Sequence, residues 1–270
     1  MIKMTNIQTK RQLNEEYKNI KYILTSTMRS RLILAMYKSP KNLEELRNEL
    51  NKPSATILHG LKELENKNFI KKIQKQYQLT SNGFLLATNM VKLIENWSSI
   101  NKNTNFWDNH NLSGIPKELL KNMHFLKDAT YVTSTTSDLS NAFNRYIKLI
   151  SNASELKIIM PIYSENHFRH IIELLNENKL KYLELTVNKE ILKSIKANPV
   201  LKRNLIKNKK VKVHCVDADL KLFLTYAPTF MSLTLFFKDG HYDDSQILIG
   251  TSENTLSWAS ELYNIYGGEK

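Results

Sequence analysis

Five side chains in the run from Pro53 to Lys67 have the types and spacing to read a nucleic acid. Ser54 and Thr56 carry hydroxyls, His59 an imidazole and Lys62 an ammonium, and Ala55 leaves room beside them. At roughly 100° per residue, Ala55, His59, Lys62 and Asn66 share one helix face. Ile57, Leu61 and Leu64 lie opposite, at i, i+4 and i+7. Small polar groups first and basic groups behind suit a major groove. The hydroxyls can reach base edges or phosphates, and the N–H groups of a helix start favour phosphate. Gly60 reads as a bare exposed spot that would permit close approach. A second set follows in Lys72, Gln74, Lys75 and Gln76. At the tip of a hairpin, these residues would track the phosphate backbone or the adjacent minor groove.

Several elements must hold these residues in place. Leu43, Leu46 and Leu50 at i, i+3 and i+7 predict one helix, which Asn51-Lys52-Pro53 breaks. The second helix runs from about Pro53 to Lys67. Phe69–Ile73 and Tyr77–Thr80 read as two strands around the tip. Upstream, a helix is expected to begin near Glu15 after a polar lead-in over residues 1–17. Arg29–Tyr37 reads as another helix, with Ile33, Leu34 and Met36 inward. Helix, turn, helix and hairpin together are the anatomy of a winged helix-turn-helix. The stretch also resembles the winged-helix domains of prokaryotic repressors. That resemblance rests on the hydroxyl-rich helix start, Leu61-x-x-Leu64-Glu65, the pair Phe69-Ile70, and Leu79-Thr80-x-x-Gly83. Asn68 stands where such domains usually carry glycine, and asparagine tolerates the left-handed backbone required there.

The charge distribution agrees with this reading. The 270 residues carry a formal net charge of +13. Residues 1–80 hold 16 Lys and Arg against 7 Asp and Glu, whereas residues 81–270 hold 23 against 19. A basic excess concentrated on one segment supplies the salt-sensitive, sequence-independent part of DNA affinity. Hydrophobic residues make up 41% of the chain, enough for one large or two modest domains. A single cysteine, Cys215, excludes an intrachain disulfide and a cysteine-based zinc cluster. With no long apolar run and no secretory signal, no membrane association is expected and the expected compartment is the cytoplasm.

Three parts are expected. Residues 1–80 would form the DNA-binding domain. Residues 81–105 would form a linker and dimerisation helix, and residues 106–270 an α/β regulatory domain. The helix from Ser81 to about Ile100 shows Phe84, Leu85, Ala87, Val91 and Ile94 at helical spacing. That stripe is too long for the winged domain to cover and would pair with its twin in a homodimer. The asparagine-rich stretch 101–117 reads as a linker docked through Phe106 and Trp107. Beyond it, strands are expected at Ala129–Ser134, Glu155–Met160, Tyr182–Val187, Val211–Val216, Leu220–Tyr226, Thr229–Phe237 and Gln246–Ile249. Helices are expected at Asp138–Ser151, Glu165–Asn176, Lys189–Lys196, Val200–Lys207 and Ser252–Tyr266. Strand–helix alternation followed by a meander indicates a mixed α/β sheet.

No catalytic constellation emerges. The chain has no phosphate loop, no GxGxxG, no GxSxG and no HExxH. None of its 7 histidines has lysine two residues on, as phospholipase D chemistry would need. The His167/His170 pair, at i and i+3 on one helix face, is expected to lie on the surface. The Asp217-Ala218-Asp219 and Asp239–Asp244 turns are expected to be structural, since turns favour Asp for backbone reasons alone. No metal, no cofactor and no enzymatic activity are expected.

The second half resembles the regulatory domain of archaeal winged-helix regulators of the methanogenesis-regulator (Fil) family. The matching residues are Phe106-Trp107-x-x-His110-x-Leu112-x-x-Ile115-Pro116, Leu119-Leu120 and Leu126. Later come Asp243-x-x-x-x-Leu248-Ile249 and Ser252-x-x-x-x-x-Trp258-Ala259-x-x-Leu262-Tyr263-x-x-Tyr266. Ala259 stands where such families usually carry glycine. The resemblance implies a DNA-binding transcriptional regulator whose partners are double-stranded DNA, a second copy of itself, and a small-molecule or protein effector. Related archaeal sugar-responsive regulators use a phospholipase D-like fold without its chemistry. An effector cleft would sit at strand ends, with Tyr163, Tyr226, Asp243 and Trp258 as candidates. Two alternatives remain: a constitutive repressor or architectural protein whose second domain only dimerises, and a degenerate phospholipase D-like enzyme.

Overall fold

Local sequence signals set most helix starts in this protein. The structure is a computed structural model describing residues 14, 15, 17, 18 and 20–267. Most of the expected polar lead-in therefore lies outside the described residues. The chain divides into two units, residues 1–94 and 95–270.

In the first unit, residues 20–24 are helical and Ile23 is fully buried. Helix α1 spans Thr27–Ala35, and the side chain of its N-cap Ser26 accepts from the Arg29 N–H. That cap starts the helix two residues earlier than the apolar pattern alone suggested. Leu32, Ile33, Ala35 and Met36 are buried, while Leu34 is only half-buried. Helix α2 (Leu43–Leu50) opens on a reciprocal cap. Asn42 Oδ1 accepts from Glu45 N at 2.9 Å, and Glu45 Oε2 accepts from Asn42 N at 2.7 Å. Asn51, with φ 50°, turns the chain out of α2. Helix α3 then runs Ser54–Asn66, with Ile57, Leu61 and Leu64 buried as their spacing requires.

Three antiparallel strands follow in spatial order β1-β3-β2: β1 (Lys41–Asn42), β2 (Ile70–Ile73) and β3 (Gln76–Leu79). The two-residue β1 was not anticipated, because two residues carry no periodicity. It is defined by the pairs Lys41↔Tyr77 and Asn42↔Gln76. Asn68 adopts φ 57°, as its place in the sequence required. Gly60 is not an exposed spot. It is buried, and a Cβ there would come within 2.8 Å of Leu32 Cδ1 and 2.9 Å of Met28 Cγ. The missing side chain lets α1 pack closely on α3.

Helix α4 (Ser81–Asn101) leaves the wing. A boundary near 100–105 was expected, but the division falls at Ile94/Glu95, inside this helix, because no loop interrupts it.

The second unit contains α5 (Thr104–Asn109), α6 (Lys117–Leu120) and a 3₁₀ turn at Met123–Leu126. The stretch expected as a linker is thus partly helical. Asn103 caps α5 by accepting from Phe106 N at 3.0 Å, and Phe106 and Trp107 are buried. A seven-stranded sheet follows in the order β4-β10-β9-β8-β5-β6-β7. Its strands are β4 (Thr130–Thr133), β5 (Glu155–Ile159), β6 (Tyr182–Asn188), β7 (Val211–Val216), β8 (Leu222–Tyr226), β9 (Met231–Leu235) and β10 (Gln246–Gly250). β5-β6-β7 pair in parallel and the other neighbours antiparallel, so the sheet is mixed. The later helices are α7 (Asn141–Ile150), α8 (Glu165–Asn176), α9 (Lys189–Ala197), α10 (Pro199–Leu201) and α11 (Glu253–Gly267). The expected helix at Val200–Lys207 is a single α turn that continues as a π-helix over Lys202–Ile206.

Side-chain alternation along the strands splits the core in two. Leu222, Leu224, Leu233 and Leu248 face α11 and the buried residues of 106–126. Phe223, Ile247 and Ile249 face α7 and α8.

Candidate nucleic-acid interface and regulatory domain

Burying Ile57, Leu61 and Leu64 turns the rest of α3 outward. Ala55, Thr56, His59, Lys62 and Asn66 are exposed and Ser54 is half-buried. No side chain caps the start of α3, and Lys52 and Pro53 before it are exposed. The Thr56 and Ile57 N–H groups donate to Pro53 O at 3.1 and 3.2 Å, so the donors offered to an anion are those of Ser54 and Ala55. On the same helix, Glu63 would repel phosphate if left alone. Arg29 of α1 holds both its oxygens, at 3.0 and 2.9 Å. The Arg29 guanidinium also lies 3.9 Å from the centre of the Tyr22 ring. His59 Nδ1 stands 3.5 Å from Glu63 Oε2 and keeps its own side chain largely exposed. Arg29 was not among the expected site residues. It acts from 34 residues upstream, beyond any local pattern.

The wing presents Lys71, Lys72, Gln74, Lys75 and Gln76 to solvent, and Tyr77 is buried beneath it. The expected tip of Gln74-Lys75-Gln76 is tighter than anticipated, since Gln76 already belongs to β3 and the turn is Gln74-Lys75. Gln74 adopts φ 54°, a left-handed conformation rare for a residue with a side chain. Lys72 Nζ lies 5.2 Å from the Tyr77 ring centre.

Thr80 and Gly83 join the wing to α4. Thr80 Oγ1 donates to Asn68 O at 2.7 Å and accepts from Gly83 N at 3.1 Å. A Cβ on Gly83 would fall 1.9 Å from Phe69 O, so only glycine fits. The Leu79-Thr80-x-x-Gly83 pattern is thus a clasp between the two wing ends.

In the second unit, the four candidate effector residues do not share a cavity. Trp258 is fully buried and donates from Nε1 to Leu119 O at 3.1 Å. Asp243 is buried against His110, with Oδ2 2.9 Å from Nε2. It also accepts from Ser245 N at 2.8 Å and from Ser245 Oγ at 2.6 Å. The other ring nitrogen of His110 meets Phe106 O, so both face oxygen acceptors. Tyr163 is partly exposed and packs its ring 5.5 Å from that of Phe168. Tyr226 ends β8 opposite Met231. Burial works against ionised Asp243, but the hydrogen bonds from His110 and Ser245 outweigh it and hold the carboxyl below its ordinary range.

A cavity of about 310 Å³ lies elsewhere, over the antiparallel half of the sheet beneath α7 and the start of α8. Phe143, Tyr146, His167, Phe223 and Tyr242 line it. Burial lowers the His167 pKa to about 4, with nearby His170 adding to the effect, so the ring is neutral at ordinary pH. Burial likewise raises Tyr146 and Tyr242, whose hydroxyls stay protonated. Among the described residues no group of three or more His, Cys, Asp or Glu could hold a metal ion. No helix there is long and apolar enough to cross a membrane.

Three helices, a clasped three-stranded wing and an outward basic helix face define a winged-helix domain; the mixed sheet forms a separate α/β domain. A family model described as the N-terminal domain of Methanogenesis regulatory protein FilR1 matches residues 17–98. One described as the middle domain of that protein matches residues 139–268. The chain belongs to this family of regulatory proteins. Methanogenesis regulatory protein FilR1 of Methanothrix harundinacea (strain 6Ac) is 24% identical over 259 residues, covering 92% of this chain and 56% of the relative. The chain thus spans about half the length of the curated relative it matches.

Solved structures offer more distant likenesses. TrmBL2, described as an archaeal chromatin protein with a novel mode of DNA binding, is 15% identical with a TM-score of 0.40, over 84% of this chain and 86% of its own. The IcIR transcriptional regulator from Alicyclobacillus acidocaldarius is 10% identical with a TM-score of 0.25, over 89% and 94%. CalO1, a methyltransferase of calicheamicin biosynthesis, is 12% identical with a TM-score of 0.23, over 78% and 66%.

Proposed function

We propose that this protein is a DNA-binding transcriptional regulator, not an enzyme, that reads an operator in duplex DNA. In this reading Ser54, Ala55, Thr56, His59 and Lys62 of α3 enter the major groove, and Lys72, Gln74, Lys75 and Gln76 of the wing follow the backbone. The observation that carries the reading is the outward face of α3. Glu63 is neutralised from behind by Arg29, and Thr56, His59 and Lys62 are exposed toward a polyanion, with exposed Glu65 the one acidic residue left at the flank of the helix. The family membership supports the same conclusion.

The regulator acts as a homodimer. Leu85 and Leu93 of α4 are 62% and 61% exposed, and a copy of the same helix is the natural cover for them. The second domain senses an effector. The cavity favours this over a constitutive repressor, because a domain that only dimerised would have no need of a pocket with aromatic walls.

The test is a fluorescence-anisotropy titration of fragments from upstream of the protein's own gene, across a salt series. Wild type is compared with a His59→Ala/Lys62→Ala variant. Tight binding to one fragment with a steep salt dependence, and loss of discrimination in the variant, is the expected result. Absence of binding even at low salt would remove the DNA reading.

A further inference from the structure

The cavity beneath α7 has an unusual charge for this chain. The protein carries 39 Lys and Arg against 26 Asp and Glu, yet no lysine or arginine lines this space. Its lining contributes one carboxylate, Asp244, which is exposed at the opening beside exposed Leu139. His167, the remaining titratable nitrogen in the wall, is neutral. Any phosphate or carboxylate ligand would enter without a counter-charge, against Asp244.

The walls are aromatic and mutually braced. The His167 ring centre lies 5.0 Å from that of Phe143, 5.2 Å from Tyr146 and 5.2 Å from Phe223. Tyr242 continues the wall at 6.3 Å from Phe223. Three polar groups beside these rings are engaged within the domain, and Ser140, Asn166, Ser232 and Gln246 add uncharged polar groups to the lining. Tyr146 Oη pairs with Thr225 Oγ1 at 3.2 Å, Tyr242 bonds Thr234, and His167 Nδ1 meets Ser164 Oγ at 2.8 Å. A ligand therefore meets ring surfaces, uncharged polar groups and a single carboxylate, with no cationic side chain among them. Ring faces carry negative potential and attract a cation, and more strongly where water is excluded.

We propose that this cavity binds a small organic cation, its ammonium group held against the rings of Phe143, Tyr146, Phe223 and Tyr242 and paired with Asp244. The sensory role of such binding rests on the regulator reading above; the binding itself does not.

Isothermal titration of the full-length chain, without DNA, tests it with four probes: tetramethylammonium, choline, the neutral carbon isostere of choline, and inorganic phosphate. Saturable binding of at least one cation is expected, with the isostere and the Asp244→Asn variant each weaker by about tenfold and phosphate silent. Asp244 is exposed, so its amide variant should fold. Phe143→Leu, which keeps an apolar wall but removes a ring face, should weaken the cation while leaving the isostere unchanged. The proposal is overturned if neither cation binds at millimolar concentration, if the isostere binds as well as choline, or if Asp244→Asn is without effect. Cation binding by a chain that fails to bind DNA would keep the pocket and remove the regulator. DNA binding without cation binding would do the reverse.

Discussion

Lys62 and Lys75 are both exposed, and the proposed DNA reading gives them different work. Lys62 sits on the outward face of α3, and in that reading its replacement by alanine should reduce discrimination between fragments. Lys75 sits at the wing tip. Lys75→Ala should weaken all fragments alike and reduce the slope of log K against log salt by about 1, as loss of one phosphate contact does. His167 predicts a pH dependence. Its usual pKa of 6.5 falls to about 4 in the fold. Between those values the unfolded chain binds a proton that the folded chain refuses. Stability is therefore full above about pH 6.5 and declines as pH falls toward 4. Melting temperatures across that range should show the decline, and His167→Gln should flatten it. Asp243 acts lower: with its pKa depressed, the stability it contributes is lost only as pH drops through the acid range below its ordinary value of 3.8. Asp243→Asn weakens the buried hydrogen bonds that Asp243 makes with His110 and Ser245. It should cost about 1–3 kcal/mol in a urea titration.

Among the elements, the clasp at the end of the wing is the most sensitive to a single methyl group. Gly83→Ala would drive a Cβ into the Phe69 carbonyl, which is backbone and cannot rotate away. A loss of about 1–3 kcal/mol is expected in denaturant unfolding of the winged domain, with Gly83→Ser no better. Elements with local signals were legible in the sequence. The apolar spacing in α2 and α3 and the lysine-rich hairpin depend on residues within a few positions of one another. Contacts made at a distance were not. Gly60 looked like an opening toward DNA because nothing nearby reveals that Met28 and Leu32 press against it from α1. The block from Phe106 to Pro116 and the Trp258–Tyr266 ending carried the resemblance to the family, and the second of these lies within the matched middle domain. Their side chains build the core under one sheet face, so Trp258 and Asp243 brace the fold where a ligand contact was expected. The cavity had no signature in one dimension, since its wall draws on α7, β8 and the loop between β9 and β10.

For the molecule as a whole, assembly is the property most exposed to test. If α4 pairs with its twin, Leu85→Lys/Leu93→Lys should sediment as a monomer. It should lose tight operator binding but retain weak, salt-sensitive binding to any DNA, because each winged domain keeps its basic face. The order of strands carries a further consequence. β4, the first strand of the seven-stranded sheet, pairs with β10, the last, and Thr130 meets Ile249 from 119 residues away. On the ribosome, β4 emerges long before its only neighbour exists. At about 5–20 residues per second it waits roughly 6–24 s with both edges open, while the winged domain has already been released to fold. The nascent chain therefore has a foldable winged domain before its α/β domain is complete, and β4 is the strand that chaperones would need to shield.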